Sequence, residues 1–293
     1  MTNYKTLDDF DIFAKSIFEN LNCPSQTLLD AMKYSFFGGG KRIRASFVYT
    51  MGDVLDISYP NCHKIAFAIE AIHTYSLIHD DLPSMDNDDI RRGKTTCHIK
   101  YDESTAILAG DALHSLAFDV IQSVDTANIN TLKKIISILA NCCGTSGMVA
   151  GQQLDIEGEC KELTLDQIET IHINKTAKMF TASILLPYYL SDNKDKTTES
   201  ILEQMSLLIG LSFQIKDDIL DVTKSTQQLG KTSDKDTESG KSTYVSLMTL
   251  DTAIEYLHVK KSDISKIVNK LASTNNKYYS LETLIDLVIN RNH

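Results

Sequence analysis

The sequence predicts an all-α protein, and three observations carry that expectation. First, turn-formers are scarce, with 13 glycines and 4 prolines in 293 residues. That is about half the usual share of roughly 12%. Second, apolar residues recur at helical spacing. Ile65, Ile69 and Ile72 follow the i, i+4, i+7 rule, and Leu202, Met205, Leu208, Ile209 and Phe213 keep to one face further on. Third, no alternating strand segments appear between hairpin signals. With 42% hydrophobic and 23% charged residues, the composition excludes disordered, collagen-like and low-complexity classes. No Pro- or Ser-rich linker and no fixed-period repeat divides the chain. It reads as one all-α domain over residues 1–293, with about ten or more helices.

Residues 1–13 carry Asp8, Asp9 and Asp11 and lack the basic flank and apolar stretch of a signal peptide. No run of about 18 apolar residues exists, so no membrane span is expected. Residues 22–25, 57–61, 190–198 and 223–242 read as loops. The last is long, polar and glycine-containing, follows an acidic motif and holds Lys231 and Lys241, so a mobile flap is expected there. The six cysteines include no C-x-x-C pair. They read as reduced thiols of a cytoplasmic protein, with Cys142 and Cys143 as small buried residues and a redox pair as the alternative. Lys and Arg number 29 against 39 Asp and Glu, a net charge of −10, which argues against nucleic acid as a partner.

The chemistry is concentrated in a few segments. Gly38-Gly39-Gly40-Lys41-Arg42-Ile43-Arg44 places a glycine-rich turn before a helix, with Lys41 and Arg44 three apart on one face. Glycine amides, a helix start and arginine forks suit an anion, but the spacing is not that of a P-loop. Next, an apolar helix ends in Asp80-Asp81-Leu82-Pro83-Ser84-Met85-Asp86-Asn87-Asp88-Asp89, followed by Arg91-Arg92-Gly93. Pro83 breaks the helix ladder, and the resulting bulge could return Asp86 to the side of Asp80. Crowded carboxylates suit Mg²⁺, which keeps waters and is completed by substrate phosphates. A solvated acidic helix end is the alternative, although negative charge is unfavourable there. His73 lies about 20° in phase from Asp80 and faces the same way.

Further on, Phe213-Gln214-Ile215-Lys216-Asp217-Asp218-Ile219-Leu220-Asp221 puts Asp217 and Asp221 about 40° apart on one helix face, with Gln214 on the same stripe. The flanking apolar residues suggest carboxylates aimed into a cavity. Lys175-Thr176, Lys231 and Lys241 add positive charge. Two aspartate clusters with Mg²⁺ between them, plus these bases, would clamp a diphosphate; metal inverts the sign of an otherwise acidic site.

At these residues the sequence resembles the trans-isoprenyl diphosphate synthases, and among them the short-chain bacterial farnesyl type. The likeness covers residues 28–292 and rests on GGGKRIR, DDLPSMD with RRG, CHIKYDESTAILAGDAL, GQQLD, KTA, FQIKDDILD and GKSTY. The DDxxxxD form of the first motif is typical of that type; Ala45 departs from the family's usual proline. The resemblance implies an all-α prenyltransferase fold around a deep cavity, and a homodimer. It implies an allylic diphosphate, dimethylallyl or geranyl, held by three Mg²⁺ through Asp80, Asp86 and Asp217. Asp81, Asp218 and Asp221 would be further ligands or support them, and Arg91, Lys175, Lys231 and Lys241 would bind the same diphosphate. Isopentenyl diphosphate would lie on Lys41, Arg44, His73 and Arg92, with Thr176 and Gln214 beside the reacting carbons.

Ionisation, attack by the isopentenyl double bond and proton loss to the released diphosphate would then give farnesyl diphosphate. Tyr75, fifth before the motif, would close the cavity floor with Ser76 beside it. A geranylgeranyl diphosphate synthase is the nearest alternative. A class I terpene cyclase would replace the second acidic motif, and a non-catalytic subunit would lose one of the two; this chain keeps both.

Overall fold

The computed structural model describes residues 4–192, 194–223 and 241–291. As expected, helices build it. Four come first: α1 (Tyr4–Glu19), α2 (Gln26–Phe36), α3 (Ile43–Leu55) and α4 (Tyr59–Asp80). Ser25 caps α2 by accepting the Leu28 N–H. The loop expected over 57–61 is shorter than predicted. Ser58 is the N-cap and Pro60 falls in the first turn of α4, where the missing proline N–H costs nothing.

A feature the sequence did not announce follows α4. Strands β1 (Ile90–Arg91) and β2 (Lys94–Thr95) pair antiparallel. Their two-residue turn, Arg92-Gly93, has positive φ at both positions (54° and 74°), the geometry that matches strand twist in tight hairpins. The run is too short for an alternating pattern to show.

Five helices come next: α5 (Cys97–Lys100), α6 (Glu103–Ile121), α7 (Ile129–Cys143), α8 (Met148–Gly158) and α9 (Leu165–His172). Asp102 caps α6, and Thr164 with Gln167 forms a capping box on α9. A π-helical turn over Ile173–Ala177 joins α9 to α10 (Lys178–Leu190). The long α11 (Lys196–Thr223) follows. Beyond residue 240 come α12 (Tyr244–Met248), α13 (Leu250–Ala272) and α14 (Ser280–Ile289). Of the expected flap over 223–242, only its ends are among the described residues.

The centre is α4, packed against α3, α6 and α10, while α10 also packs on α7 and α11. Ile65, Ile69 and Ile72 are fully buried, as are Leu202, Met205 and Ile209 of α11. A helix apolar on every side belongs in a core, and α4 is one: residues on all its faces are buried along most of its length. Among the described residues one helix, α6, is long and apolar enough by length and composition to cross a membrane. Its Ala106, Ala109, Leu113 and Ala117 are buried. Cys23, Cys62, Cys97, Cys142 and Cys143 are free thiols. Cys142 and Cys143 are buried, which pushes their thiols up to about 12 and about 11, far from reactive.

Candidate active site

The first acidic wall is built by the break at Pro83. The chain doubles back, and the Asp86 N–H donates to the Asp80 carbonyl at 2.9 Å while the Asp88 N–H donates to that of Asp81 at 3.2 Å. Asn87 takes the left-handed conformation (φ 50°) that the reversal requires. Asp86 therefore returns to Asp80, as the spacing predicts. Asp80 Oδ1 accepts Gln152 Nε2 at 2.6 Å. Burial, with the Asp86 charge adding to it, holds the Asp80 carboxyl above the usual range, against the pull of Lys175. Asp81 goes elsewhere: it is 3% exposed and outside the cavity lining. It accepts Arg91 Nε at 2.5 Å, and burial still pushes it up to about 7.

The hairpin aims the two arginines apart. Arg91 holds Asp81 and also Asp88 (3.2 Å). Arg92, at the turn, donates to the Gly39 carbonyl and to His73 Nε2 (3.4 Å). Gly40, at φ 115°, has a reason to be glycine: a Cβ there would stand 2.7 Å from the Arg92 guanidinium. The expected sharing of a helix face by Lys41 and Arg44 is corrected. α3 starts only at Ile43, with Arg42 as a left-handed N-cap (φ 50°), so Lys41 precedes the helix. Both still feel the Asp217 charge. Arg42 is turned inward onto Glu70 at 2.9 Å.

Arg44 is the cationic centre of this side. Its guanidinium lies 4.9 Å from the Phe180 ring centre, and its Nε is buried without a hydrogen-bond partner. Burial lowers it to about 10. Burial and the neighbouring arginines hold His73 neutral, well below its ordinary value.

The second wall is α11. Asp217 pairs with Arg291 at 2.8 Å, and Gln214 Oε1 accepts the Thr176 hydroxyl at 2.9 Å. Asp218 accepts the Tyr244 N–H at 2.8 Å. Beside the first wall, two lysines meet on Asp155. Lys175 approaches it at 2.7 Å. Lys241 spans Asp86 (3.3 Å), Asp155 (3.4 Å) and Glu159 (3.6 Å). Burial opposes charge on Lys175, but Asp80 and Asp155 outweigh it and hold its pKa up. Lys175 and Thr176 lie in the π-helical turn, a distortion often found at functional sites. The glycine of GQQLD lets α8 approach that turn, since a Cβ on Gly151 would stand 2.0 Å from the Lys175 backbone nitrogen.

These groups enclose one cavity of about 780 Å³. Of the predicted residues, Asp80, Asp86, Asp217, Asp218, Asp221, Arg44, His73, Tyr75, Ser76, Arg91, Arg92, Lys175, Thr176, Gln214 and Lys241 line it. Lys41 and Asp81 do not, and Lys231 lies outside the described residues. Sequence reasoning missed Arg291, Asp155, Gln152 and His172, which also line it. GQQLD was the only signal for two of them. Among the described residues no three carboxylate, imidazole or thiol groups stand close enough to hold a metal unaided. Opposed carboxylate walls leave positions for water and substrate oxygens, which fits a hard cation such as Mg²⁺.

Matches to known proteins agree with this geometry. The polyprenyl synthetase family model matches residues 25–281, so the chain belongs to that family, and it is a prenyltransferase of the all-α isoprenoid synthase fold. It is 47% identical over 239 residues to the farnesyl diphosphate synthase of Buchnera aphidicola from Acyrthosiphon pisum, covering 80% of this chain and 83% of that one. It is 41% identical to the farnesyl diphosphate synthase of Micrococcus luteus, covering 97% and 96%. Its fold superposes with a TM-score of 0.90 on the Helicobacter pylori geranyltransferase complexed with magnesium and isoprenyl diphosphate, at 33% identity, covering 98% and 96%.

Proposed function

We propose that the chain is a Mg²⁺-dependent farnesyl diphosphate synthase, joining isopentenyl diphosphate to dimethylallyl and then geranyl diphosphate. One observation carries the reading: the carboxylates of Asp80, Asp86, Asp217 and Asp221 line one cavity together with Lys175 and Lys241, and Arg44, His73 and Arg92 line it as well. Asp80, Asp86, Asp217 and Asp221 would hold Mg²⁺, three ions on the family's pattern. The metal would offset charge building on the leaving diphosphate.

Lys175 and Lys241, with Lys231, bind that diphosphate, and Arg91 is braced toward it by Asp81. Lys41, Arg44, His73 and Arg92 bind isopentenyl diphosphate. Neutral His73 accepts from Arg92 and keeps its guanidinium oriented. Thr176 and Gln214, hydrogen-bonded to each other, shape the wall beside the reacting carbons. The apolar part of the cavity excludes water from the allylic cation. The departed diphosphate takes the proton, so no protein base is required.

We also assign the chain to the cytoplasm as a homodimer. The free thiols of buried Cys62, Cys97, Cys142 and Cys143 support the first, and exposed Ile107 and Leu108 on α6 support the second. The test is incubation of the purified protein with Mg²⁺, isopentenyl diphosphate and each allylic primer, with product length read by mass. C15 from both five- and ten-carbon primers is expected; C20 as the main product would reassign it to geranylgeranyl synthesis.

A further inference from the structure

Asp218 differs from its neighbours in the second acidic motif. Around α11, Asp221 lies about 40° from Asp217, and Asp218 lies about 60° beyond Asp221. Its Oδ2 accepts the backbone N–H of Tyr244 at 2.8 Å, across 26 residues of sequence. Both residues are buried, Asp218 at 6% exposure and Tyr244 at 0%. Tyr244 opens α12, so its N–H has no acceptor within that helix. A buried N–H left unpaired is costly, and a carboxylate acceptor is worth more than a neutral one.

Tyr244 is fixed from other sides too. Its ring stacks on His172 with centres 5.5 Å apart and planes 23° apart, and Tyr256 of α13 lies 6.2 Å away. His172 directly precedes the π-helical turn that carries Lys175. Three residues before Tyr244 stands Lys241, the lysine that spans Asp86, Asp155 and Glu159. Three residues of chain reach at most about 10 Å, so anchoring Tyr244 limits where the Lys241 ammonium can go.

We propose that Asp218 is a positioning residue rather than a metal ligand: by holding the Tyr244 N–H it pins the segment that carries Lys241 to Asp86 and Asp155. Asp217 and Asp221 are left to meet the metal. The motif's three aspartates thus have two jobs, set by the partner each meets. The inference rests on the proposed function only in that Lys241 is taken to bind the allylic diphosphate; the anchor itself is independent of it.

Three variants of the full chain separate the roles. Asp218→Asn loses the charge and keeps a carbonyl acceptor, Asp218→Ala loses both, and Asp217→Asn removes charge from the stripe assigned to the metal. The first readout is hydrogen exchange of the Tyr244 amide in metal-free protein. It should quicken about tenfold or more in Asp218→Ala, recover most of its protection in Asp218→Asn and be unmoved in Asp217→Asn. The second is the Mg²⁺ concentration giving half-maximal turnover, which should stay within about twofold of wild type in Asp218→Asn and rise about tenfold or more in Asp217→Asn. The KM for geranyl diphosphate should rise in Asp218→Ala and return toward wild type in Asp218→Asn.

Should Asp218→Ala fail to fold, the Asp218→Asn comparison still decides. A Mg²⁺ requirement in Asp218→Asn shifted as far as in Asp217→Asn would overturn the proposal. So would an Asp218→Ala protein whose Tyr244 amide exchanges at the wild-type rate. A wild-type protein that makes no prenyl product would instead sink the proposed function and leave the exchange result standing.

Discussion

Replacing Tyr75 with alanine should lengthen the product. Tyr75 lines the cavity five residues, nearly one and a half turns, before Asp80, so a prenyl tail anchored at Asp80 and running back along α4 meets its ring. That ring is held edge-to-face by His79 and His114, each with its centre 5.1 Å away. Removing the phenol opens space comparable to the five carbons of one further isoprene unit. Burying those carbons at about 0.8 kcal/mol each is worth about 4 kcal/mol, or roughly a thousandfold in favour of an elongated tail. Truncating a fully buried aromatic costs about 3–5 kcal/mol of stability. Tyr75 is half-buried, so about 2 kcal/mol is expected, and thermal melting should confirm a folded variant. The assay is mass analysis of products from geranyl diphosphate with excess isopentenyl diphosphate. C20 or longer products are expected from Tyr75→Ala, while Ser76→Phe, which fills the same space, should stop at C10 when dimethylallyl diphosphate is the primer. A folded Tyr75→Ala protein that still stops at C15 would place the floor elsewhere and refute the reasoning.

Other perturbations probe the remaining parts. Asp80→Ala should cut turnover by about 10²-fold or more in a protein whose circular dichroism is preserved, and excess chelator should silence the wild type; near-normal turnover in chelator would contradict a metal mechanism. Lys41→Ala and Arg44→Ala should raise the KM for isopentenyl diphosphate by about 10- to 150-fold and that for geranyl diphosphate much less, whereas equal effects would merge the two sites. His172 should make stability depend on pH. Burial lowers it to about 4 in the folded protein against about 6.5 unfolded, so the unfolded chain binds more protons between these values. Its full contribution is therefore present above pH about 6.5 and falls by up to about 3 kcal/mol as pH drops to about 4. His172→Phe keeps a ring against Tyr244 and should flatten that window in urea titrations at pH 7 and pH 5; an unchanged slope would assign the loss to other groups.

What the sequence made legible was local. Helical spacing marked α4 and α11, and Pro83 between Asp80 and Asp86 marked the reversal that joins them, because both depend on neighbours a few residues apart. The hairpin of Ile90–Arg91 and Lys94–Thr95 was invisible, since two-residue strands hold no pattern. The start of α3 was misplaced because Arg42 takes a left-handed cap that only its burial on Glu70 explains. Contacts between distant segments were out of reach. Arg291 is bonded to Asp217, and Asp155 to both Lys175 and Lys241, yet neither partner is implied by spacing. The three aspartates of the second motif look alike as letters. Their division follows from where α12 and α14 arrive, which only the packed chain decides.

The central claim is that one cavity joins two diphosphate substrates, and isotope tracing tests it most directly. Wild-type protein would be given Mg²⁺, unlabelled geranyl diphosphate and fully carbon-13-labelled isopentenyl diphosphate. The account predicts farnesyl diphosphate carrying all five labelled carbons, and none when Mg²⁺ is withheld. Unlabelled cyclic or hydrolysed C10 products, or labelled product formed equally well without metal, would contradict it.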